Sequence, residues 1–186
     1  PATIEYDNYV SGYHQTVART FTGEFQIWGH YTANNGTGSI LTPQPINSAN
    51  YPALTGTVLK ATIGSYGYSY QQTIVLTTTG LFASAAPGIV LSTTIKNTST
   101  FSKLTINGRA NGLPLGVEPA DVKMLFATHQ TLAITTCSGD VWVITQVSAM
   151  RGNNSSGNAN GWYRVVTSAS GSPRLTGIVA VRGSAT

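Results

Sequence analysis

The sequence predicts an all-β fold of about three four-stranded antiparallel units, and three observations carry that reading. A hairpin phrase recurs: His14-Gln15-Thr16-Val17-Ala18 before Thr22-Gly23, Gln71-Gln72-Thr73-Ile74-Val75 before Thr79-Gly80, and His129-Gln130-Thr131-Leu132-Ala133 before Ser138-Gly139. Gln15, Gln72 and Gln130 lie 57 and 58 residues apart, and Gly23, Gly80 and Gly139 lie 57 and 59 apart. Each phrase sets β-branched and apolar residues on either side of a glycine free to take positive φ, the pattern of two strands joined by a turn. A second marker keeps nearly the same period: Leu54-Thr55-Gly56, Leu115-Gly116 and Leu175-Thr176-Gly177, with the leucines 61 and 60 apart. Third, each repeat offers about four short apolar runs and no credible long helix. A fixed period of this length marks solenoids, propellers and arrays. Four-stranded sheets repeated radially are the blades of a β-propeller, here a partial one or a fragment of a larger ring.

In chain order, residues 1–10 carry Ile4, Tyr6 and Tyr9 among polar residues and read as an N-terminal strand or the end of a preceding blade. Blade repeat 1 spans 11–63. Its hairpin ends in Ile27-Trp28-Gly29-His30, and the loop that follows holds Asn35-Gly36, which is turn chemistry. Pro43 and Pro45 then bracket an extended segment unsuited to a central strand, and residues 54–63 return to a β pattern. Blade repeat 2, 64–125, is the divergent one, with Ser84-Ala85-Ala86-Pro87 where repeat 1 has Ile27-Trp28-Gly29. Residues 98–106 alternate as a half-buried strand does, and 119–125 favour strand over a single helical turn. Blade repeat 3, 126–186, contains a polar loop at 151–161, with strands expected at 162–166 and 178–182.

Composition narrows the partners. Only 9% of the 186 residues are charged, and the net charge of +4 comes from few acids rather than many bases. Lys and Arg are scattered singly, so no basic stripe offers itself to nucleic acid. No apolar run approaches the length of a membrane span, and membrane insertion is not expected. A surface wetted by Thr, Ser, Gly and Asn favours a secreted or cell-surface β-protein. The chain begins at Pro1, from which a processed product or a piece of something longer is expected. Its one cysteine, Cys137, reads as a small turn residue, since no base or activating environment accompanies it in sequence.

A longer set of residues carries a family resemblance. In the first repeat these are Gly12 to Ala18, the Gly23 turn, Ile27-Trp28-Gly29, Asn35-Gly36-Thr37-Gly38, Pro43, Ile46 and Leu54-Thr55-Gly56. In the third they are Thr128 to Ile134, Gly139, Val141-Trp142-Val143, Trp162-Tyr163-Arg164-Val165 and Leu175 to Val181. The chain from about Val10 onward resembles the regulator-of-chromosome-condensation propeller family, more closely in the first and third repeats than in the middle of the second. The resemblance implies a propeller whose loops bind. Members of the family close a complete ring, which three blades do not. Its namesake promotes nucleotide exchange on a small GTPase through a projecting wedge, and no residue here matches that wedge, so the activity is not carried over. The Thr- and Asn-rich style also resembles repeat regions of large bacterial surface proteins exported by the type IX secretion route, which implies a secreted location and contact with outer-membrane export machinery.

The loops 31–39 and 151–161 are where a ligand is expected, with Tyr31, Asn34, Asn35, Asn153, Asn154, Trp162 and Tyr163 as the binding residues. Aromatic faces suit apolar sugar patches, and amides suit hydroxyls. Trp162 has packing as its competing role, and Trp28 and Trp142, in register after their turns, read as packing. His14 and His129 recur with the hairpin and suit hydrogen bonding within their blades rather than a shared metal, while His30 stands elsewhere. The six acids, Glu5, Asp7, Glu24, Glu118, Asp121 and Asp140, show no close pair for acid–base work.

The expected function is therefore a non-enzymatic binding or adhesion module of a secreted cell-surface repeat protein, with no catalytic residue, metal or cofactor. Its expected partners are a protein or glycan on a cell surface, and neighbouring blades of a longer chain or a second copy. The alternatives are a structural spacer or secretion cargo with no ligand of its own, and a propeller-type enzyme inhibitor.

Overall fold

The structure, a computed structural model, describes residues 9–67, 70–153, 157–167 and 173–181. These form three four-stranded antiparallel sheets. The first is β1 (Tyr9–Ser11), β2 (Gln15–Arg19), β3 (Phe25–Gly29) and β4 (Ile40–Pro45), neighbours in that order. The second is β5 (Val58–Ser65), β6 (Gln71–Thr77), β7 (Gly80–Ala85) and β8 (Ser102–Lys103). The third is β9 (Val122–Thr128), β10 (Thr131–Thr136), β11 (Val141–Thr145) and β12 (Tyr163–Arg164). Pro43 and Pro45 fall on an edge strand, where a missing N–H costs no ladder bond. The three hairpin glycines lie where second and third strands meet, Gly80 as the first residue of β7, with φ of 90°, 131° and 79°.

The sheets share the period of the repeat frame but not its phase. Val58–Ser65, assigned across the 63/64 boundary, pairs along its length with β6 and opens the second sheet. Val122–Thr128 likewise opens the third, and Tyr9–Ser11 pairs with β2 to open the first. A repeat fixes a spacing, whereas ladder hydrogen bonds decide which strand joins which sheet. The remainder of the 1–10 segment lies outside the described residues.

Alternation then packs the sheets face to face. On β2 and β3, Val17, Phe25 and Ile27 point at Ala61, Ile63, Val75 and Phe82 of the second sheet. The other face of that sheet, Ile74, Leu76, Leu81 and Ala83, meets Leu125, Leu132, Ile134 and Ile144 of the third. Every residue of β6 and β7 is buried, because the middle sheet has a neighbour on each side. Tyr51, in the connection between the first two sheets, is fully buried against Phe101, and its hydroxyl donates to the Thr32 carbonyl at 2.6 Å. Burial pushes its phenol above the ordinary tyrosine value, against the weaker opposing hydrogen bond from Gln44.

Three expectations are corrected. Residues 178–181 form no strand. Gly177 takes φ 74°, and Leu175, Ile178 and Val181, spaced by three, lie over the outer face of the third sheet against Val141 and Val143. A spacing of three suits a strap laid across a sheet, while an edge strand needs a spacing of two; Arg182 lies outside the described residues. The 98–106 strand shrinks to Ser102–Lys103, since Phe101 turns into one core and Leu104 and Ile106 into the other. Finally, the leucine buried in the second unit is Leu113, while Leu115 is 81% exposed. The true repeated element is the glycine: Gly56, Gly116 and Gly177 have φ of 77°, 79° and 74°.

The first strands of the second and third sheets approach closely at Gly64. A Cβ there would lie 2.5 Å from the Thr128 carbonyl oxygen and would collide with the Val90 side chain. Gly64→Ala is expected to cost about 1–3 kcal/mol, as overpacking typically does, seen as a lower thermal or urea midpoint. An unchanged midpoint would contradict the close approach of β5 and β9.

Candidate recognition surface

In each sheet the turn between first and second strands and the connection between third and fourth strands leave from the same end. The three ends adjoin. His14 N–H donates to Gln71 Oε1 at 2.8 Å, the Tyr66 ring stacks on His129 at 4.5 Å, and Gln130 N–H donates to the Ile89 carbonyl at 2.5 Å. One continuous surface results, made by residues 12–14, 66–67, 70 and 129–130 with the loops 30–39, 86–101, 146–153 and 157–162.

Two of the three repeated glutamines hold this surface to its frame. Gln15 is buried in β2; its Nε2 donates to the Tyr31 carbonyl at 3.2 Å and its Oε1 accepts from Thr73 Oγ1 at 3.0 Å. Gln72, at the matching place in β6, accepts through Oε1 from the Val90 and Leu91 N–H groups at 3.1 and 2.8 Å. Gln130 departs from the pattern, taking φ 61° in its turn, and Gln146 reaches the Gly88 carbonyl instead. Buried Lys96 donates to the Thr98 carbonyl, Thr98 Oγ1 and the Thr100 carbonyl at 2.6–2.7 Å, which fixes loop 86–101 from within. Burial alone lowers its amine below the usual lysine value.

The residues expected to bind ligand are placed as follows. Tyr31 is half-buried at φ 59°, its ring 6.3 Å from His30. Asn34 gives its carbonyl to Phe101 N–H, and its buried Oδ1 has no partner. Asn35 Oδ1 accepts from Thr37 and Gly38 N–H, so its amide shapes the turn. Asn153 is half-buried and engaged, and Asn154 lies outside the described residues. Tyr163 donates its hydroxyl to the Asn158 carbonyl under the Arg151 guanidinium, 4.9 Å from its ring. Trp162 is corrected: it is buried between the second and third sheets, and its indole N–H donates to the Gly112 carbonyl at 2.8 Å, so no face is left for a sugar.

What the surface displays instead is tyrosine. Tyr13, Tyr66 and Tyr70, all in first-to-second-strand turns, are 63%, 53% and 54% exposed. Sequence reading passed over them because a tyrosine beside a turn carries no mark of which way it points. His30, expected elsewhere, comes within 5.5 Å of His14, which stacks on Tyr13. Among the described residues no three of His, Cys, Asp and Glu converge as metal ligands.

The described carboxylates all lie at the opposite end. Glu24 and Asp140 are in second-to-third-strand turns, and Glu118 and Asp121 precede β9. Contrary to expectation two of them, Asp121 and Asp140, share one cavity there. Burial tends to raise the Asp140 carboxyl, but hydrogen bonds from Arg164 at 2.6 Å and Ser138 at 2.9 Å, with the charges of Arg164 and Arg174, hold it below the ordinary value. Asp121 caps the Glu118 N–H at 2.9 Å. A glycoside-cleaving pair needs one carboxyl raised to serve as acid, and Asp140, held below its ordinary value, does not fit that role.

Three four-stranded blades packed face to face define this chain as part of a β-propeller. Its fold is similar to that of human WBSCR16, with a TM-score of 0.59 and 15% identity, over 86% of this chain and 39% of that one. Prp20p from Saccharomyces cerevisiae, studied for its binding to Gsp1p and histones, aligns at a TM-score of 0.48 and 10% identity, over 87% and 38%. The chain thus spans about two-fifths of the length of these structures, and the likeness is one of fold, the regulator-of-chromosome-condensation type of propeller. No protein-family model and no curated protein matches the chain.

Two predictions follow from these contacts. Trp162→Phe removes the Gly112 hydrogen bond from a buried site and is expected to lower stability by about 1–3 kcal/mol, measured by denaturant unfolding; no change would return the indole to the surface. Because the Asp140 carboxyl is depressed in the folded state, its contribution is present above the ordinary Asp value of about 4 and is lost as pH falls below it. Asp140→Asn is therefore expected to flatten the acid limb of the stability–pH curve while lowering stability at neutral pH.

Proposed function

We propose that the chain is a non-enzymatic binding module of a secreted cell-surface protein, recognising a protein or a glycan through the tyrosine-bearing end of its blades. The observation that carries this is the exposure of Tyr13, Tyr66 and Tyr70 on turns that are tied to the neighbouring sheet. Tyrosine supplies large amphipathic contact area at small entropic cost, and recognition surfaces are enriched in it. Rigid support adds to this, since little ordering remains to be done on binding. Among the described residues this end carries no carboxylate, and the carboxylates of the other end are engaged in an ion pair and a turn. The cell-surface location is inferred from the Thr- and Asn-rich, charge-poor composition, and export by the type IX route only from the resemblance of that style to exported repeat regions.

The test compares the native chain with a Tyr13→Ala/Tyr66→Ala/Tyr70→Ala variant on a glycan array and against a panel of purified surface proteins. Binding is expected to weaken by about ten-fold or more, as loss of central aromatic anchors does, with the melting temperature unchanged. Equal binding by both forms would overturn the tyrosine surface, and an absence of any binding would favour a spacer.

A further inference from the structure

His14 and His30 face each other where the β2–β3 ladder ends. One step beyond the Gln15–Gly29 rung, the His30 N–H donates to the His14 carbonyl at 2.8 Å. Residues directly opposed in antiparallel strands carry their side chains on one face, with Cβ atoms about 5 Å apart. The approach depends on Gly29, at φ 108°, because a Cβ there would collide with the His14 carbonyl oxygen. The two imidazole rings lie 5.5 Å apart, centre to centre, and both residues are half-buried. Each ring is held in place: His14 stacks on Tyr13, 4.8 Å away and 8° from parallel, and His30 Nδ1 is 2.9 Å from Ser39 Oγ.

A metal–nitrogen bond is about 2.0–2.1 Å long, so two imidazoles on one tetrahedral ion have their ring centres about 5 Å apart. The observed spacing is a small side-chain rotation from that. A ligating histidine commonly has its second ring nitrogen bonded to an oxygen, which fixes the ring and raises its basicity. Ser39 Oγ stands in that place at His30 Nδ1. We propose that His14 and His30 form a binding site for one divalent transition-metal ion, a site that does not depend on the tyrosine surface having a ligand. Imidazole nitrogens suit zinc, copper and nickel, whereas magnesium and calcium seek oxygen. Among the described residues no third His, Cys, Asp or Glu joins the pair, so the ion keeps positions for water or for a ligand atom of a molecule bound on the same surface.

The experiment titrates the metal-stripped chain with zinc by calorimetry, with magnesium as the comparison ion. One zinc per chain is expected and no heat from magnesium, with weaker zinc binding at acid pH because a ligating imidazole must be neutral. His14→Gln and His30→Gln are each expected to weaken zinc binding by more than about ten-fold, and Ser39→Ala, which keeps both rings, by about ten-fold, as loss of an orienting partner does. His129→Gln, in the ring that stacks on Tyr66, and Cys137→Ser, at the chain's one cysteine, are expected to leave it unchanged. Electron paramagnetic resonance of copper bound to the native chain is expected to show coupling to two imidazole nitrogens, a readout that stands even where a histidine variant fails to fold. Absence of zinc binding, equal binding by the His14→Gln and His30→Gln chains, loss on removing His129 or Cys137, or copper coupled to fewer than two imidazoles overturns the proposal.

Discussion

The structure depends on a two-sided sheet that has nowhere to hide its apolar residues except against another sheet. Strand residues alternate between faces, and β6 and β7 carry large apolar side chains on both: Val75 and Phe82 face the first sheet, Ile74, Leu76 and Leu81 the third. Each fully buried residue of this size contributes about 1.5–3 kcal/mol, so the middle sheet is stable only with both neighbours in place. Close approach follows. Gly12 and Gly64 stand where a Cβ meets the next sheet, and Tyr51 fills the space where the first two sheets are joined.

The same arithmetic explains how much could be read in advance. The repeated glycine was visible because it answers a demand met once per blade, a turn with positive φ, and the repeated glutamine because its amide braces a loop in the first two blades. The strand count and all-β class were visible for the same reason. Phase was not, since Val58–Ser65 reads equally well as an end or a beginning until its ladder with β6 is seen. Leu113 and Leu115 sit two apart around Pro114, and only packing decides which of them is inside. Ala85 gave no hint of its φ of 69°, a positive value where Gly29, at the matching place in the first blade, takes 108°.

For the site, polarity misled. Asparagines in a loop suggest an offered surface, yet Asn35 spends its side chain on Thr37 and Gly38, and Trp162 spends its indole on Gly112. Short amides close turns more readily than they wait for ligands. The approach of Asp121 to Asp140 depends on the Cys137 N–H bond to the Asp121 carbonyl, a contact that no spacing in the sequence encodes. Segregation of Glu24, Glu118, Asp121 and Asp140 to one end is visible only once strand directions are known.

The glutamine braces have one more property. Gln15 holds the carbonyl of residue 31, and Gln72 holds the N–H groups of residues 90 and 91, all of them main-chain atoms common to nearly every amino acid. Such a clamp is blind to side-chain identity. The loops it secures are free to diversify in sequence without loosening, much as interchangeable heads fit one handle, so new specificities can arise on this frame while the frame itself stays unaltered.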